Sequence, residues 1–260
     1  MKALWFRAEF VWGFSARIAG YNKTSPSFLF PPPTTVLGAL LNSASRRLKK
    51  SESDYGSFYS EVSKKVYAVS LKPLNFTPNP VADIIRSIKL DEKAELKSKF
   101  DVPAKGRVFY VPQANEPPAM DFVVVHDSDL LKFDDALKIN RMGSKESLVS
   151  VVEVYETENL EKFEGSAVTG YSFPVDSGIT IKDYEDYDKC YKEYYAPFWL
   201  DGKGIDEILL SYYLGSEKGS FVKYCIPKIN QTIYLSISGK FAAYRFKVNG
   251  EEVVVIGINS

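Results

Sequence analysis

The sequence predicts an α+β fold in two parts, a mixed part over residues 1–163 and a smaller β-rich part over residues 164–260. Three observations support this prediction. Strand-like and helix-like segments alternate through the first part, a proline-punctuated stretch interrupts it at about residues 74–118, and short β-type runs separated by turn residues fill the second part. A chain of 260 residues can form one large domain or two small ones.

The first strand is predicted over Ala3–Ser15, where aromatic residues and Val dominate and charged residues alternate with apolar ones. A loop containing Lys23 follows. The segment FPPPTTVLGALLNSASRRLKK then predicts a helix that runs to about Lys50, with Thr34 or Thr35 as its N-cap after the extended proline run.

This helix lies in a basic region. Residues 1–50 carry eight Lys and Arg side chains against Glu9 alone, whereas residues 127–165 carry ten acids against five cations, although the formal net charge of the chain is zero. A basic face suits a polyanion, and helix N-termini bind phosphate. The candidate RNA contacts in this region are Lys23, Thr34, Thr35 and Arg46. A solvated charge distribution with no function explains the same pattern equally well.

Gly38 stands inside the predicted helix, where it lowers helix stability relative to Ala. We expect close packing of the helix on the sheet to be the reason for it.

A second strand is predicted at Val66–Pro73 and a third at Met120–His126. Between them, six prolines break up residues 74–118, directly after Pro73. We expect an insertion that projects from the sheet, with a short helical piece near Val81–Lys99 and a strand at Arg107–Val111.

The remainder of the first part predicts a helix at Asp127–Lys138, capped by Asp127 or Ser128, and a strand at Ser147–Glu156. The resulting order of elements is β, α, β, insertion, β, α, β. That is the ferredoxin-like, RNA-recognition-type order.

The turn RMGSKES joins this helix to this strand. Gly143 permits a positive φ and a close backbone approach, so the N–H groups of Ser144, Lys145 and Glu146 can converge on an anion. Arg141 and Lys145 would add full positive charges, which makes phosphate the natural ligand. An ordinary loop with a C-cap Gly is an equally good explanation. The turn is not a Walker loop, because Glu146 follows Lys145 where Ser or Thr is required.

Cations alternate with aromatic residues near the C-terminus, as they do in proteins that bind single-stranded nucleic acids. The residues concerned are Lys223, Tyr224, Lys240, Tyr244, Arg245 and Lys247. With 17 Tyr and 17 Phe in the chain, chance also produces such a pattern.

Cys190 and Cys225 lack CxxC spacing and are expected as reduced thiols rather than as a disulfide or a metal site. The charged N-terminal segment is unlike a signal peptide, and no apolar run approaches the length of a membrane span. We therefore expect a cytoplasmic protein without membrane contact, cofactor or metal.

The motifs PPPTTVLGALL, RMGSKES and GKFAAYR, in this order and spacing, resemble the fifth family of CRISPR-associated proteins in its archaeal type I-A form, within the RAMP superfamily. The first two motifs are the more specific, and the resemblance covers most of the chain. It implies a modified ferredoxin-like N-terminal domain, a thumb-like insertion and a β-rich C-terminal domain.

The resemblance also implies a role. It points to a single subunit that caps the 5′ handle of the guide CRISPR RNA in the Cascade surveillance complex, in contact with the backbone subunits and the large subunit.

One branch of that family cuts precursor RNA with a Tyr, a Lys and a His. Here the only His, His126, ends an apolar strand with no adjacent Lys, which favours a strand-end residue over a general base. We therefore predict a non-catalytic RNA-binding subunit. The alternatives are a metal-independent endoribonuclease that uses His126 with a Tyr, and a small-molecule-binding or interaction domain with no role in RNA binding.

Overall fold

The computed structural model describes residues 1–16, 18, 24–84, 87–88, 100–101, 104–199 and 221–259. Its α-helices are α1 Pro33–Arg47, α2 Tyr55–Ser63 and α3 Phe133–Leu137. Short 3₁₀ helices lie at Glu52–Asp54 and Tyr184–Lys189. The strands up to α3 are β1 Lys2–Phe10, β2 Gly13–Phe14, β3 Thr24–Ser25, β4 Val66–Pro73, β5 Phe76–Ile84, β6 Ser87–Ile88, β7 Phe100–Asp101, β8 Ala104–Pro112 and β9 Ala119–His126.

The strands after α3 are β10 Val149–Thr157, β11 Glu161–Phe163, β12 Gly165–Thr169, β13 Phe173–Val175, β14 Ile179–Ile181, β15 Cys190–Tyr195, β16 Val222–Pro227, β17 Ile233–Ile237, β18 Phe241–Val248 and β19 Glu251–Ile258. The helix and strand content is thus mixed, with mostly antiparallel sheets. The longest described helix, α1, has 15 residues, and no helix within the described ranges is long and apolar enough to cross a membrane.

Four antiparallel strands form the central sheet, in the order β10-β1-β9-β4. Every residue of β9 is buried because both faces of the sheet are covered. Phe6 and Phe122 stack on the helix side at 5.1 Å between ring centroids, while Trp5 and Val123 pack toward the second half of the chain. The four strands predicted at these positions are confirmed, although the first ends at Phe10 rather than at Ser15.

Helix α1 begins differently from the prediction. Pro32 occupies the N-cap and Pro33 the first helical position, where a fixed φ suits the helix and a missing N–H costs nothing. Thr35 lies inside the first turn and donates its N–H to the Pro32 carbonyl at 2.8 Å. The capping role predicted for Thr34 or Thr35 is therefore wrong.

The C-terminal end of α1 is a Schellman turn. Lys49 has φ 54° and donates to the Arg46 carbonyl, while the Lys50 N–H donates to the Ser45 carbonyl at 2.9 Å. The helix ends at Arg47, three residues before the predicted end.

The second predicted helix is much shorter than the sequence pattern indicates. Residues before α3 are held in a non-helical turn because Ser128 makes local bonds, donating its N–H to His126 Nδ1 at 3.2 Å and accepting the Leu130 N–H at 3.3 Å. Such bonds compete with a helix. The proposed caps Asp127 and Ser128 are therefore wrong, and the helix begins at Phe133.

The insertion forms a β-hairpin in which β5 and β8 pair over nine residues, from Phe76 opposite Pro112 to Ile84 opposite Ala104. The helical piece predicted near Val81–Lys99 is wrong for Val81–Ile84, and its residues 89–99 lie outside the described part of the chain. Phe76 and Tyr110 stack at 4.1 Å and belong to the same buried cluster as Phe10 and Phe30. The base of the hairpin is thus part of the main core.

The second half of the chain forms three-stranded sheets in the orders β11-β18-β19, β12-β17-β14 and β13-β16-β15. Tyr171, Ala242 and Tyr244 share a buried cluster with Trp5 and Val125 of the central sheet. The two halves therefore share a core, and the domain boundary at residues 163/164 stays a prediction.

Cys190 and Cys225 form a disulfide across β15 and β16, with their Cα atoms 5.3 Å apart. The expectation of reduced thiols is wrong in this structure. Strand pairing places Cys225 opposite Lys192, two residues from Cys190, which brings together two cysteines 35 residues apart. Sequence spacing alone gave no sign of this pairing.

Candidate nucleic-acid interface

The RMGSKES segment closes into a tight turn on top of β2. The Met142 N–H donates to the Ser147 carbonyl at 3.0 Å, and the Ser147 N–H donates to the Ser144 carbonyl at 3.0 Å. Gly143 has φ +96°, and a Cβ at this position would lie 2.7 Å from the Phe14 ring and 2.8 Å from the Ser15 carbonyl oxygen. Only glycine fits, both for its dihedral angle and for its close neighbours.

The N–H groups of Ser144, Lys145 and Glu146 were predicted to converge on an anion, and this prediction is wrong at Ser144. Its N–H donates to the Ser15 carbonyl at 2.8 Å, and its hydroxyl lies 3.2 Å from that of Ser147. The Ser147 hydroxyl in turn accepts the Ser15 N–H at 3.0 Å. The turn is hydrogen-bonded to segment 13–16 through Ser15. Binding of an anion here would therefore depend on charged side chains.

The charged side chains of the turn differ in whether they form ion pairs. Glu146 pairs with Lys105 at 2.5 Å and with Arg107 at 3.5 Å, and the Lys105 ammonium holds the pKa of Glu146 below its ordinary value. Arg141 and Lys145 are exposed, and neither pairs with a carboxylate of the described residues. Within the described part of the chain, the acid of the loop is thus neutralised and its two cations are not.

A cleft of about 480 Å³ lies between α1 and this turn. Its lining combines one cation, small residues and polar groups: Ala16, Thr35, Gly38, Ala39, Asn42, Arg141, Gly143 and Ser144. The structure thus joins four predicted site residues from two distant segments. Thr34 and Lys145 do not line the cleft, and Lys23 lies outside the described residues.

On the helix side of the cleft, Thr35 was predicted as a site residue, but Gly38, Ala39 and Asn42 were not. Thr35, Gly38 and Asn42 lie on one face of α1 at spacings of three and four residues, and Arg46 continues that face by one more turn. Arg46 is exposed and has no ion pair among the described carboxylates. The helical spacing of these polar and small residues was the available signal.

The helix N-terminus contributes little to anion binding. Pro33 has no N–H, and the N–H groups of Thr35 and Val36 both donate to the Pro32 carbonyl. At most the Thr34 N–H is left for a ligand. The positive charge of the cleft therefore comes mainly from Arg141.

A buried carboxylate positions the chain that leads into α1. Glu193 of β15 accepts the N–H groups of Leu29 at 2.7 Å and Phe30 at 3.1 Å, and the Tyr195 hydroxyl donates to it. Burial raises the pKa of Glu193 to about 6. The second half of the chain thus fixes the entry to the helix that lines the cleft.

Gly38 is not explained by packing on the sheet, so that expectation is wrong. A Cβ built on Gly38 would meet only the Tyr55 hydroxyl, at an ordinary 3.5 Å, and the residue lines the cleft instead. The glycine lowers the stability of α1, and no close contact within the described residues requires it.

We expect Gly38→Ala to raise the free energy of unfolding by about 0.5–1 kcal/mol, because Ala is the better helix former and has room here. Urea denaturation of the two proteins measures this. Destabilisation by the same substitution would show that Gly38 packs more closely than the structure indicates.

His126, the proposed general base, is fully buried at the end of β9. Its Nδ1 accepts the Ser128 N–H, its Nε2 has no partner in the described part of the chain, and burial lowers its pKa to about 4. A substrate cannot reach this ring. Within the described residues, no group of three or more His, Cys, Asp or Glu could hold a metal ion.

The aromatic residues of the C-terminal pattern are not available to nucleic-acid bases. Tyr224 is 1% exposed and Tyr244 is fully buried, because both face inward from their strands. The interpretation of these two residues as a stacking surface is wrong.

No family model matches the chain. It is 26% identical over 255 residues to "CRISPR-associated protein Cas5 3" of Saccharolobus solfataricus, covering 94% of this chain and 95% of the relative. It is also 26% identical over 253 residues to "CRISPR system aCascade subunit Cas5 1" of the same organism, with coverage of 94% and 95%.

Among solved structures, the chain superposes on a CRISPR protein from Archaeoglobus fulgidus with a TM-score of 0.72 and 29% identity, covering 100% of both chains. Sequence relatives and fold thus agree over nearly the full length. The chain is thus similar, over nearly its full length, to archaeal CRISPR-associated proteins named Cas5 and to a solved archaeal CRISPR protein.

Proposed function

We propose that this protein is a non-catalytic RNA-binding subunit of a type I-A Cascade complex, in which it caps the 5′ handle of the guide CRISPR RNA. The observation that supports this most directly is the cleft between α1 and the RMGSKES turn. The cleft brings an Arg that has no carboxylate partner within the described ranges together with hydroxyl, amide and glycine groups, a combination suited to a nucleic-acid backbone. The name of one relative, an aCascade subunit, agrees with the proposed complex.

The strand order supports an RNA-recognition-type scaffold. Strands β1, β4, β9 and β10 form an antiparallel sheet in the order β10-β1-β9-β4, with α1 between β1 and β4 and α3 between β9 and β10. We infer that this is the ferredoxin-like arrangement and that the β5–β8 hairpin is its thumb-like insertion.

The two ends of the cleft have different roles in this proposal. Arg141 offers a planar fork that can hold two phosphate oxygens at once, while the Gly38 and Ala39 floor lets a backbone approach α1 closely. Arg46 lies one turn beyond Asn42 and extends the positive charge along the helix. An RNA strand entering the cleft would therefore meet a cation at each end.

An exposed apolar surface on the hairpin supports assembly with neighbouring subunits. Val11, Phe109, Val111 and Leu148 are each between 39% and 69% exposed, and the Trp12 ring lies 5.6 Å from that of Phe109. Clustered apolar side chains of this kind mark protein interfaces. We assign the surface to a backbone subunit or the large subunit of the complex.

The endoribonuclease alternative has less support. It needs His126 to meet the RNA, and the ring is buried among core residues with its pKa lowered to about 4. No observation favours the small-molecule alternative over a nucleic acid, because the polar groups of the cleft are one guanidinium, hydroxyl groups and an amide, which suit a phosphate backbone.

The first test compares two cations of one loop. Arg141→Ala should weaken binding of guide RNA at all sequences alike and lower the slope of log affinity against log salt by about 0.7 to 1, the value for one phosphate contact. Lys145→Ala should change that slope much less, because Lys145 carries the same charge on the same turn but does not line the cleft.

The measurement is RNA affinity by fluorescence anisotropy between low and moderate salt, with melting temperature as the control for folding. Equal slopes for the wild type and both variants would remove the cleft as the RNA site. A larger effect at Lys145 than at Arg141 would place the RNA on the outer side of the turn.

A further inference from the structure

One face of the β15–β16 pair carries an exposed tyrosine beside two lysines. Tyr194 lies directly opposite Lys223 in the strand register, and Lys192, two residues before Tyr194, projects from the same face. Tyr194 is 59% exposed, and no other aromatic side chain of the described residues is more exposed. These three residues form a continuous surface, here called the strand platform.

Both lysines of the strand platform reach over one neighbouring aromatic ring. Their ammonium groups lie 5.5 Å and 5.8 Å from the centre of the Tyr187 ring, with Lys192 the nearer. Neither forms an ion pair with a carboxylate in the part of the chain that the structure describes. The Tyr187 ring thus lies close to both ammonium groups without neutralising them.

The platform rests on a fixed pair of strands. The Cys190–Cys225 disulfide joins β15 to β16, and Cys225 is the direct partner of Lys192. Beneath the platform, on the opposite face, Tyr195 and Tyr224 are buried at 1% exposure. The spacing of the lysines and the tyrosine is therefore set by the fold.

We propose that the strand platform is a second nucleic-acid site, which binds a single strand by stacking one base on Tyr194 and by pairing phosphates with Lys192 and Lys223. Stacking on an exposed ring tolerates any base, and flanking cations follow the backbone. A protein partner suits this surface less well, because lysine is depleted from the cores of protein interfaces. The inference rests on β15 and β16 and is independent of the cleft at Arg141.

The test uses a fluorescein-labelled 12-nucleotide oligouridylate and the full-length protein. Tyr194→Ala should weaken binding by about tenfold, within the range known for one base–aromatic stack, whereas Tyr194→Phe should bind like the wild type. Lys192→Ala and Lys223→Ala should each lower the salt slope by about 0.7.

Tyr234→Ala is the matched control. Tyr234 is also a strand tyrosine, 50% exposed on β17, but no cation of the described residues lies over its ring. This variant should bind the oligouridylate like the wild type, and melting temperatures should stay unchanged for both tyrosine variants because both side chains are largely exposed.

Arg141→Ala separates this inference from the proposed function. Weaker oligouridylate binding by Tyr194→Ala with unchanged binding by Arg141→Ala would support the platform as a site separate from the cleft, which is tested with guide RNA. Equal affinities for Tyr194→Ala and Tyr234→Ala would overturn the platform, whatever Arg141→Ala does. The platform would also be overturned if Tyr194→Ala released a protein subunit while leaving oligouridylate binding intact, since the surface would then be a protein interface.

Discussion

Replacing Arg47 by Ala is expected to lower the free energy of unfolding by about 3–5 kcal/mol, although Arg47 is part of a basic sequence that looks like surface. Its guanidinium donates to both carboxylate oxygens of Asp135, at 2.9 Å and 2.8 Å, and to the Leu130 carbonyl at 2.8 Å. Asp135 is fully buried, so the Ala variant leaves an uncompensated charge in the interior. Urea denaturation at neutral pH measures the effect.

Arg46 provides the control from the next position along the helix. It is exposed and has no ion pair among the described carboxylates, so Arg46→Ala should change the free energy of unfolding by less than about 0.5 kcal/mol. In the proposed function it should instead weaken RNA binding. Similar stabilities for the two variants would show that the Arg47–Asp135 pair contributes little.

Acid should destabilise the protein through His126. Its pKa is about 4 when folded against an ordinary value of 6.5, so between these values the unfolded chain binds the proton and the folded chain does not. The stabilisation is present at neutral pH and is lost as the pH falls from 6.5 to 4. It corresponds to about 3 kcal/mol for this shift.

Glu193 acts in the opposite direction, and the experiment has to separate the two. Its folded pKa of about 6 lies above the ordinary 4.5, so the stability that it contributes is full below 4.5 and is lost as the pH rises through 6. We therefore compare the wild type with His126→Asn in urea at pH 4 and pH 7. The difference in unfolding free energy between them should change by about 3 kcal/mol, since Glu193 is common to both. Parallel pH profiles would show that His126 is solvated in the folded protein.

The sheet could be predicted from the sequence because its strands are rich in β-branched and aromatic residues. Val66–Pro73 has the predicted bounds, and Met120–His126 falls one residue short of β9. Helix boundaries could not be predicted as well, because tertiary contacts decide them. Local bonds of Ser128 shorten α3, and two prolines take over the start of α1.

The candidate site could be predicted only in part, because tertiary contacts also decide which residues line it. Composition and turn chemistry pointed to Arg141 and Gly143, which do line the cleft, but equally to Lys145, which does not. Sequence cannot tell which side of a turn faces a neighbouring helix. The bond from the Ser144 N–H to the Ser15 carbonyl joins segments about 130 residues apart and had no local signal.

The attachment of the RMGSKES turn to segment 13–16 has a consequence for binding entropy. A free loop that closes on a ligand loses its conformational freedom at the moment of binding, and this loss weakens affinity. Here Ser15, Ser144 and Ser147 order the turn during folding, and Gly143 removes the steric obstacle to that contact. The Arg141 side chain therefore starts from a preorganised backbone, and an RNA phosphate has only the side-chain rotamers left to restrict.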